Sequence, residues 1–301
     1  MTYTVELRNL RKTFDGHVAV DDVSFAVAPG TIFGFLGQNG AGKTTTIRMI
    51  MDILGPDRGE VLLFGRPREA NDGRRIGYLP EERGLYRKMT VEDHLRFMAE
   101  LSGVARAEAA RRVRDGLTRV ELTEWAAKKV ETLSKGMQQK VQLLATVLHE
   151  PELLILDEPF SGLDPINQGM FKEMIAELRR AGKTILFSTH ILEQAEKLCD
   201  EIALVARGRV VLTGNLAQMK RERGGRAVEA TFESRPASLD ALEGVAHASF
   251  DGERARIDLA PGTTPAALLS ELVLHGHSLS GYRTLEPDLE SIFVEAVHDA
   301  G

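Results

Sequence analysis

Cysteine is nearly absent: Cys199 is the only one in 301 residues. An internal disulfide is therefore excluded, which fits a reducing compartment. Cys199 has no His or Cys neighbours at ligand spacing, and reads as a small buried residue rather than a nucleophile. Long apolar runs are missing too. The longest, such as Leu153–Leu156 and Thr184–Phe187, fall far short of the roughly 20 residues that a membrane-spanning helix needs. No basic flank followed by an apolar stretch stands at the N-terminus, so no signal peptide is expected. Lysine is missing from Glu222 onward, where 14 acids meet 6 arginines and give −8, against −6 for the whole chain. This acidic tail argues against duplex nucleic acid as the main partner of that half. Internal repeats and low-complexity segments are lacking as well. What remains, 43% hydrophobic in 301 residues, is enough for two domains and a large core.

Short β-like runs at Val5–Leu10 and Val18–Val27 flank the turn signal Asp15-Gly16, which predicts a hairpin or small antiparallel sheet. Ile32–Leu36 reads as a buried strand that feeds a glycine-rich turn and then a helical pattern over Lys43–Leu54. Thr90-Val91-Glu92-Asp93 has the form of a capping box at the start of a helix over Thr90–Val104. Arg106–Glu121 and Ser134–Leu148 continue at helical spacing, so residues 90–150 form a helical insert. After Pro151, strands (Leu153–Leu156, Thr184–Ser188, Glu201–Val205, Arg209–Thr213) alternate with helices (Met170–Ala181, Ile191–Leu198), the pattern of a mainly parallel sheet with helices on its faces. Arg221–Arg226 has linker composition. Beyond it we expect strand Ala227–Glu233, helix Ser238–Gly244, strands Ala246–Phe250 and Arg254–Leu259, helix Pro265–Leu274, strand Ser278–Thr284 and helix Asp288–His298. That is a small α+β unit, with a split βαβ as one arrangement.

Gly37-Gln38-Asn39-Gly40-Ala41-Gly42-Lys43-Thr44 matches G-x-x-x-x-G-K-[ST] in full. Its glycines let backbone N–H groups turn toward a triphosphate, and the helix N-terminus adds partial positive charge. Lys43 suits the β- and γ-phosphates and the Thr44 hydroxyl suits Mg²⁺, with Thr45 beside it. Leu153–Glu158 is a buried strand ending in two acids, at the sheet end where ligands bind in α/β folds. Asp157 is placed to hold Mg²⁺ and Glu158 to act as general base toward water.

In order along the chain come the phosphate loop, Leu133-Ser134-Lys135-Gly136-Met137, Asp157-Glu158, Ser161-Gly162-Leu163-Asp164 and Ser188-Thr189-His190. Over residues 1–215 or so this series resembles the ATP-binding-cassette (ABC) ATPases. The resemblance implies ATP and Mg²⁺ as cofactors, with Gly37, Asn39, Gly40, Ala41, Gly42, Lys43, Thr44, Thr45 and Asp157 around the nucleotide. It places Phe14 where an aromatic stacks on adenine, a core aromatic being the alternative. It gives Ser134 and Gly136 contact with the γ-phosphate held by an opposite protomer. Asp164 would couple the two sites, and His190 would bond the γ-phosphate and the attacking water. The implied fold is a P-loop NTPase core with a mainly parallel sheet, a small antiparallel N-terminal sheet and a helical insert, plus a small C-terminal α+β domain. The corresponding spans are 1–220, with the insert at about 90–150, and 227–301.

The chain departs from the family pattern at three places. Lys135 and Met137 replace a Gly and a Gln of the usual Leu-Ser-Gly-Gly-Gln. Glu81 stands where a Gln normally follows the strand Arg75–Leu79. A carboxylate there accepts bonds and ligates a metal but cannot donate; the alternative is that Glu81 or Glu82 caps a surface turn. Arg83–Met89 resembles the stretch that contacts membrane partners, or is a free surface loop. Residues 222–301, ending Leu285-Glu286-Pro287-Asp288-Leu289-Glu290-Ser291-Ile292-Phe293, resemble the extra domain of some bacterial exporter ATPases of the sodium- and drug-export kind. The expectation is the ATP-hydrolysing motor of an exporter. It would dimerise around two ATP, with a second copy or a homologous ATPase, and drive a separate polytopic membrane permease. It would be peripheral on the inner face of the cell membrane and have no nucleic-acid partner. The rival is a soluble ABC ATPase in cofactor assembly, translation or DNA repair.

Overall fold

The computed structural model describes residues 2–82, 84–223 and 227–299. The chain divides into two compact units, Met1–Thr213 and Gly214–Gly301.

In the first unit, β1 (Val5–Phe14) and β2 (His17–Val27) form the expected hairpin. β3 (Ile32–Leu36) leads to α1 (Lys43–Ile50), followed by β4 (Arg58–Leu63), β5 (Arg66–Pro67) and β6 (Ile76–Leu79). The insert holds α2 (Val91–Leu101), α3 (Arg106–Arg119) and α4 (Lys135–Val147). Then come β7 (Leu153–Asp157), α5 (Pro165–Arg180), β8 (Thr184–Thr189), α6 (Leu192–Leu198), β9 (Glu201–Ala206) and β10 (Arg209–Asn215). One sheet has the order β2-β1-β4-β5 and another the order β10-β9-β3-β8-β7-β6. In the second, β9, β3, β8, β7 and β6 pair in parallel. Every residue of β3, β7 and β8 is buried, as expected of parallel strands covered on both faces. Phe25 of β2 stacks on Phe33 of β3 with centroids 5.0 Å apart, joining the two sheets in one core.

Local chemistry sets the helix starts. The Asp93 amide donates to Thr90 Oγ1 at 3.1 Å, which forms the N-cap half of the anticipated capping box, while the Asp93 carboxylate accepts from the Thr90 hydroxyl at 2.7 Å rather than from its amide. α5 starts at Pro165, five residues before the expected Met170, because Asp164 caps it and a proline at the first helical position needs no donor. β4 and β5 were not anticipated: the first half of β4 is Arg58-Gly59-Glu60, exposed and polar, with apolar residues only from Val61.

The second unit contains α7 (Leu216–Arg223), β11 (Ala227–Phe232), β12 (Val245–Asp251), β13 (Arg254–Leu259), α8 (Pro265–Leu274), β14 (Leu279–Leu285) and α9 (Leu289–Asp299). Its sheet has the order β12-β13-β11-β14. β13 and β14 flank β11, each antiparallel to it, so β13–α8–β14 is a split βαβ unit. Two expectations need correction. Ser238–Gly244 is a pair of turns, closed by Leu242 N to Leu239 O and Val245 N to Leu242 O, not a helix. Seven residues ending in a glycine at φ 87° do not offset helix nucleation, and burying Leu239 anchors the segment instead. Arg221–Arg223 are the last turn of α7, not linker; the other expected linker residues, 224–226, lie outside the described residues.

Candidate active site

The loop between β3 and α1 is held by close backbone approaches. A Cβ on Gly37 would sit 2.3 Å from Val205 O. At Gly42, φ is 101° and a Cβ would fall 2.4 Å from Ala19 O, so only glycine is tolerated. Lys43 is buried and donates from Nζ to Gly37 O at 2.7 Å and to Gln38 O at 3.3 Å. A cavity of about 270 Å³ opens here, lined by Asn39, Gly40, Gly42, Lys43, Thr44, Thr45, Glu81 and Glu158, with Ala19 of β2. Gly37 and Ala41 shape the loop from behind.

The acids come from the end of β7, with β8 beside it. Ser188 of β8 donates its hydroxyl to Asp157 Oδ1, while its Oγ accepts from Glu158 N at 3.1 Å. Ser188 O is a second acceptor for that amide, at 3.2 Å. These bonds hold Glu158 in the left-handed region, at φ 48°. From there Glu158 Oε1 faces Lys43 Nζ at 3.4 Å, and His190 Nδ1 donates to Oε2 at 3.0 Å. His190 is partly exposed where β8 ends. Burial pushes the Asp157 carboxyl above the usual carboxylate range, and hydrogen bonds from Ser188 and Thr44 pull it back.

Two buried carboxylate oxygens, Asp157 Oδ2 and Glu158 Oε1, lack a hydrogen-bond partner. The lone pairs of Asp157 Oδ2, beside the Thr44 hydroxyl, are donors for a hard cation, whereas Glu158 Oε1 already faces the Lys43 ammonium. A second cavity, of about 390 Å³, is lined by Asp157, Thr44 and Glu81 together. Among the described residues no three His, Cys, Asp or Glu side chains converge into a cage. A Mg²⁺ ion takes one or two protein oxygens and completes its shell with phosphate and water, and Thr44 and Asp157 would supply those oxygens.

The remaining candidates lie elsewhere. Ser134 is the N-cap of α4 and accepts from Met137 N at 3.3 Å. Gly136 packs on Asn167, whose amide would stand 3.0 Å from a Cβ there. Asn167 Nδ2 donates to Asp164 Oδ2, and Asp164 Oδ1 accepts from Ile166 N and Asn167 N at 3.0 Å each. None of Ser134, Gly136 and Asp164 lines the Lys43 cavity. Lys135 points outward on an exposed surface. Phe14 is 43% exposed at the end of β1, with Lys12 Nζ 5.7 Å from its ring centroid. It is therefore no core aromatic, nor does it line the cavity. The Cys199 thiol is driven well up by burial, as a structural cysteine should be. Sequence reasoning missed the part of Ser188, and of Gln139 and Gln142, two buried glutamines whose side chains bond to the loops after β7 and β6. Their signal is polar residues on the buried side of an otherwise apolar helix.

The sequence profile of the ABC transporter family matches residues 20–161. The ABC transporter ATP-binding protein YhaQ of Bacillus subtilis is 40% identical over 289 residues, 96% of this chain and 97% of that protein. The chain belongs to the ABC transporter ATP-binding protein family. The Nod factor export ATP-binding protein I of Cupriavidus metallidurans is 38% identical over 217 residues, covering 71% of this chain and 72% of its own length. A solved ATP-binding subunit of an ABC transporter superposes with a TM-score of 0.68 at 36% identity, over 73% of this chain and 93% of that one. This ABC ATPase binds ATP and hydrolyses it to drive transport. Its phosphate loop and acidic strand end are the parts of the fold that meet in the Lys43 cavity. Among the described residues no helix is long and apolar enough to cross a membrane, and ATP-binding subunits of this family work with membrane transporters.

Proposed function

We propose that this chain is the motor of an ABC exporter, closing as a dimer around two Mg-ATP at the inner face of the membrane and driving a separate polytopic permease. The observation that carries this reading is a division of the site. Lys43, Thr44 and Glu158 line one cavity and Asp157 lines a second that shares Thr44 and Glu81 with it, whereas Ser134 and Gly136 line neither. A hydroxyl and a helix N-terminus are phosphate ligands, and a second copy is the partner that brings them to the nucleotide. Export is supported by the 38% identity to the Nod factor export ATP-binding protein I.

In this reading residues 1–220 are the ATP-binding domain and 227–301 an accessory domain. Lys43 and the loop amides hold the β- and γ-phosphates. Thr44, Asp157 and Glu81 hold Mg²⁺, which when bound screens phosphate charge. Glu158 takes the proton of the attacking water, and His190, bonded to it, fixes the carboxylate and reaches the γ-phosphate. Phe14 stacks on adenine, and Asp164 ties the two sites through Asn167 and Gly136. The permease docks on the exposed Tyr86 and on Phe97 of α2, which meet edge-on at 5.5 Å, and on Leu101 at the end of α2, with Arg87 and Lys88 next to Tyr86 in the chain.

Glu158→Gln should form a stable dimer in saturating Mg-ATP, read as a doubling of mass by light scattering. A variant that stays monomeric would falsify the dimer. Affinity purification from detergent-solubilised native membranes should recover a stoichiometric polytopic protein. Recovery only from the soluble fraction, with ribosomal, repair or assembly proteins, would overturn the exporter.

A further inference from the structure

One face of α4 carries Gln139, Gln142, Thr146 and, just past its end, His149, at the three-and-four spacing of a single helical stripe. Each meets a main-chain carbonyl. Gln139 Nε2 donates to Pro159 O at 3.3 Å and Gln142 Nε2 to Pro80 O at 3.0 Å, while the Thr146 hydroxyl lies between Gln142 O at 2.9 Å and Tyr78 O at 3.4 Å. His149 Nε2 donates to Ile76 O at 3.1 Å. Three of these carbonyls, Ile76, Tyr78 and Pro80, alternate along β6 and its exit. β6 is the edge strand of the parallel sheet, paired with β7 on one side only. On its open side α4 supplies the donors that a further strand would have supplied. Gly77 permits the approach, since a Cβ there would lie 2.4 Å from Thr146 O.

We infer that α4 is a rigid strut that relays contact at Ser134 and Gly136 to Glu81 and Glu158 of the same chain, with Gln139 and Gln142 as positioning residues. The relay rests on the proposal that Ser134 and Gly136 meet the ATP of a second copy. The Pro80 carbonyl belongs to the peptide that joins Glu81, and the Pro159 carbonyl lies one residue beyond Glu158. Proline fixes φ at both residues, which leaves one dihedral fewer to absorb a displacement of the carbonyl before it reaches the acid beside it. From Ser134 to Gln142 the helix spans about 12 Å, with backbone bonds throughout. Only the amide NH₂ of glutamine can donate to a carbonyl, so both side chains have one orientation. At Gln142 this leaves Oε1 buried and unpartnered. Gln142→Leu removes that unpartnered oxygen and leaves the Pro80 carbonyl without its donor instead, so ATP binding and dimer formation serve as its folding control.

The test uses the full-length chain. Light scattering of Glu158→Gln in Mg-ATP first establishes the dimer. Gln139→Leu and Gln142→Leu are then compared with Thr146→Val, which lies on the same stripe but beside no acid. The relay predicts that both leucine variants bind a fluorescent ATP analogue within about twofold of wild type. It also predicts that they still dimerise in the Glu158→Gln background, and that kcat falls about tenfold at unchanged KM while the Hill coefficient for ATP drops toward one. Thr146→Val should lower Tm and leave kcat and the Hill coefficient alone. Leucine variants with wild-type kcat, alongside a dimer that forms, overturn the relay but not the dimer. Equal loss of kcat in Thr146→Val reduces the stripe to a structural brace and also overturns it. A monomeric Glu158→Gln removes the reading beneath both.

Discussion

Lys43 Nζ faces Glu158 Oε1 at 3.4 Å with both side chains buried. The lysine comes from the first turn of α1 and the glutamate from the end of β7, so the pair ties the phosphate loop to the acidic strand end. Removing one member strands a buried charge. Lys43→Ala should cost about 3 kcal/mol of folding stability, and it should abolish ATP binding. Adding Glu158→Gln to it should recover at least about 1 kcal/mol. Urea unfolding of both single variants and the double variant measures the coupling; additive effects would mean the pair contributes nothing.

Asp157 answers to pH through burial. Its carboxyl lies above the ordinary value of 3.8. Between that value and the raised one, the folded chain holds a proton that the unfolded chain has lost. Stability therefore falls as pH rises through this window and stays lower above it. Asp157→Asn does not titrate, so its stability advantage over wild type should be absent in acid, grow through the window and level off. The same variant should lose Mg²⁺-dependent turnover. Melts from acid to neutral pH check the first part, and an advantage that shrinks as pH rises would contradict it.

His94 has the opposite sign. Both ring nitrogens are buried without a partner, and burial holds the imidazole below its ordinary value of 6.5. Below 6.5 the unfolded chain takes up a proton that the folded chain refuses, so stability falls as pH drops. His149 is shifted in the same direction, chiefly by burial. His94→Leu should remove up to about 1.4 kcal/mol per pH unit from the acid slope. It should also raise stability at neutral pH. An unchanged acid slope would mean that His94 is hydrated and titrates normally.

Phe14 separates base recognition from phosphate recognition. Phe14→Ala should weaken ATP binding by about 1 kcal/mol, a stacking contribution. Binding of inorganic triphosphate should not change. Calorimetric titration with both ligands decides, and equal loss for the two would show that the ring supports the loop rather than the base.

Several features could be read before any fold was known. The β3–loop–α1 segment is one, because its eight-residue glycine and lysine motif is contiguous and a strand and a helix bracket it. The α2 cap is another, since Thr90 and Asp93 are three residues apart. Less legible were β4, whose polar first half hides its strand, and Ser238–Gly244, where burial of Leu239 overrode a weak helical pattern. At the site, the residue types of Lys43, Asp157 and Glu158 were plain, whereas the part of Ser188 depends on β8 lying between β3 and β7.

The sequence by itself determined that a phosphate-binding turn, an acidic strand end and a helix from about Ser134 exist, since each follows from a short run of residues. Only the tertiary structure decided their partners. The strand order sets Lys43 against Glu158 and Ser188 against Asp157, and the open edge of β6 selects the stripe of α4. Such pairings depend on which distant segments share a sheet edge, and that is settled by burial of the whole apolar core rather than by any local run of residues.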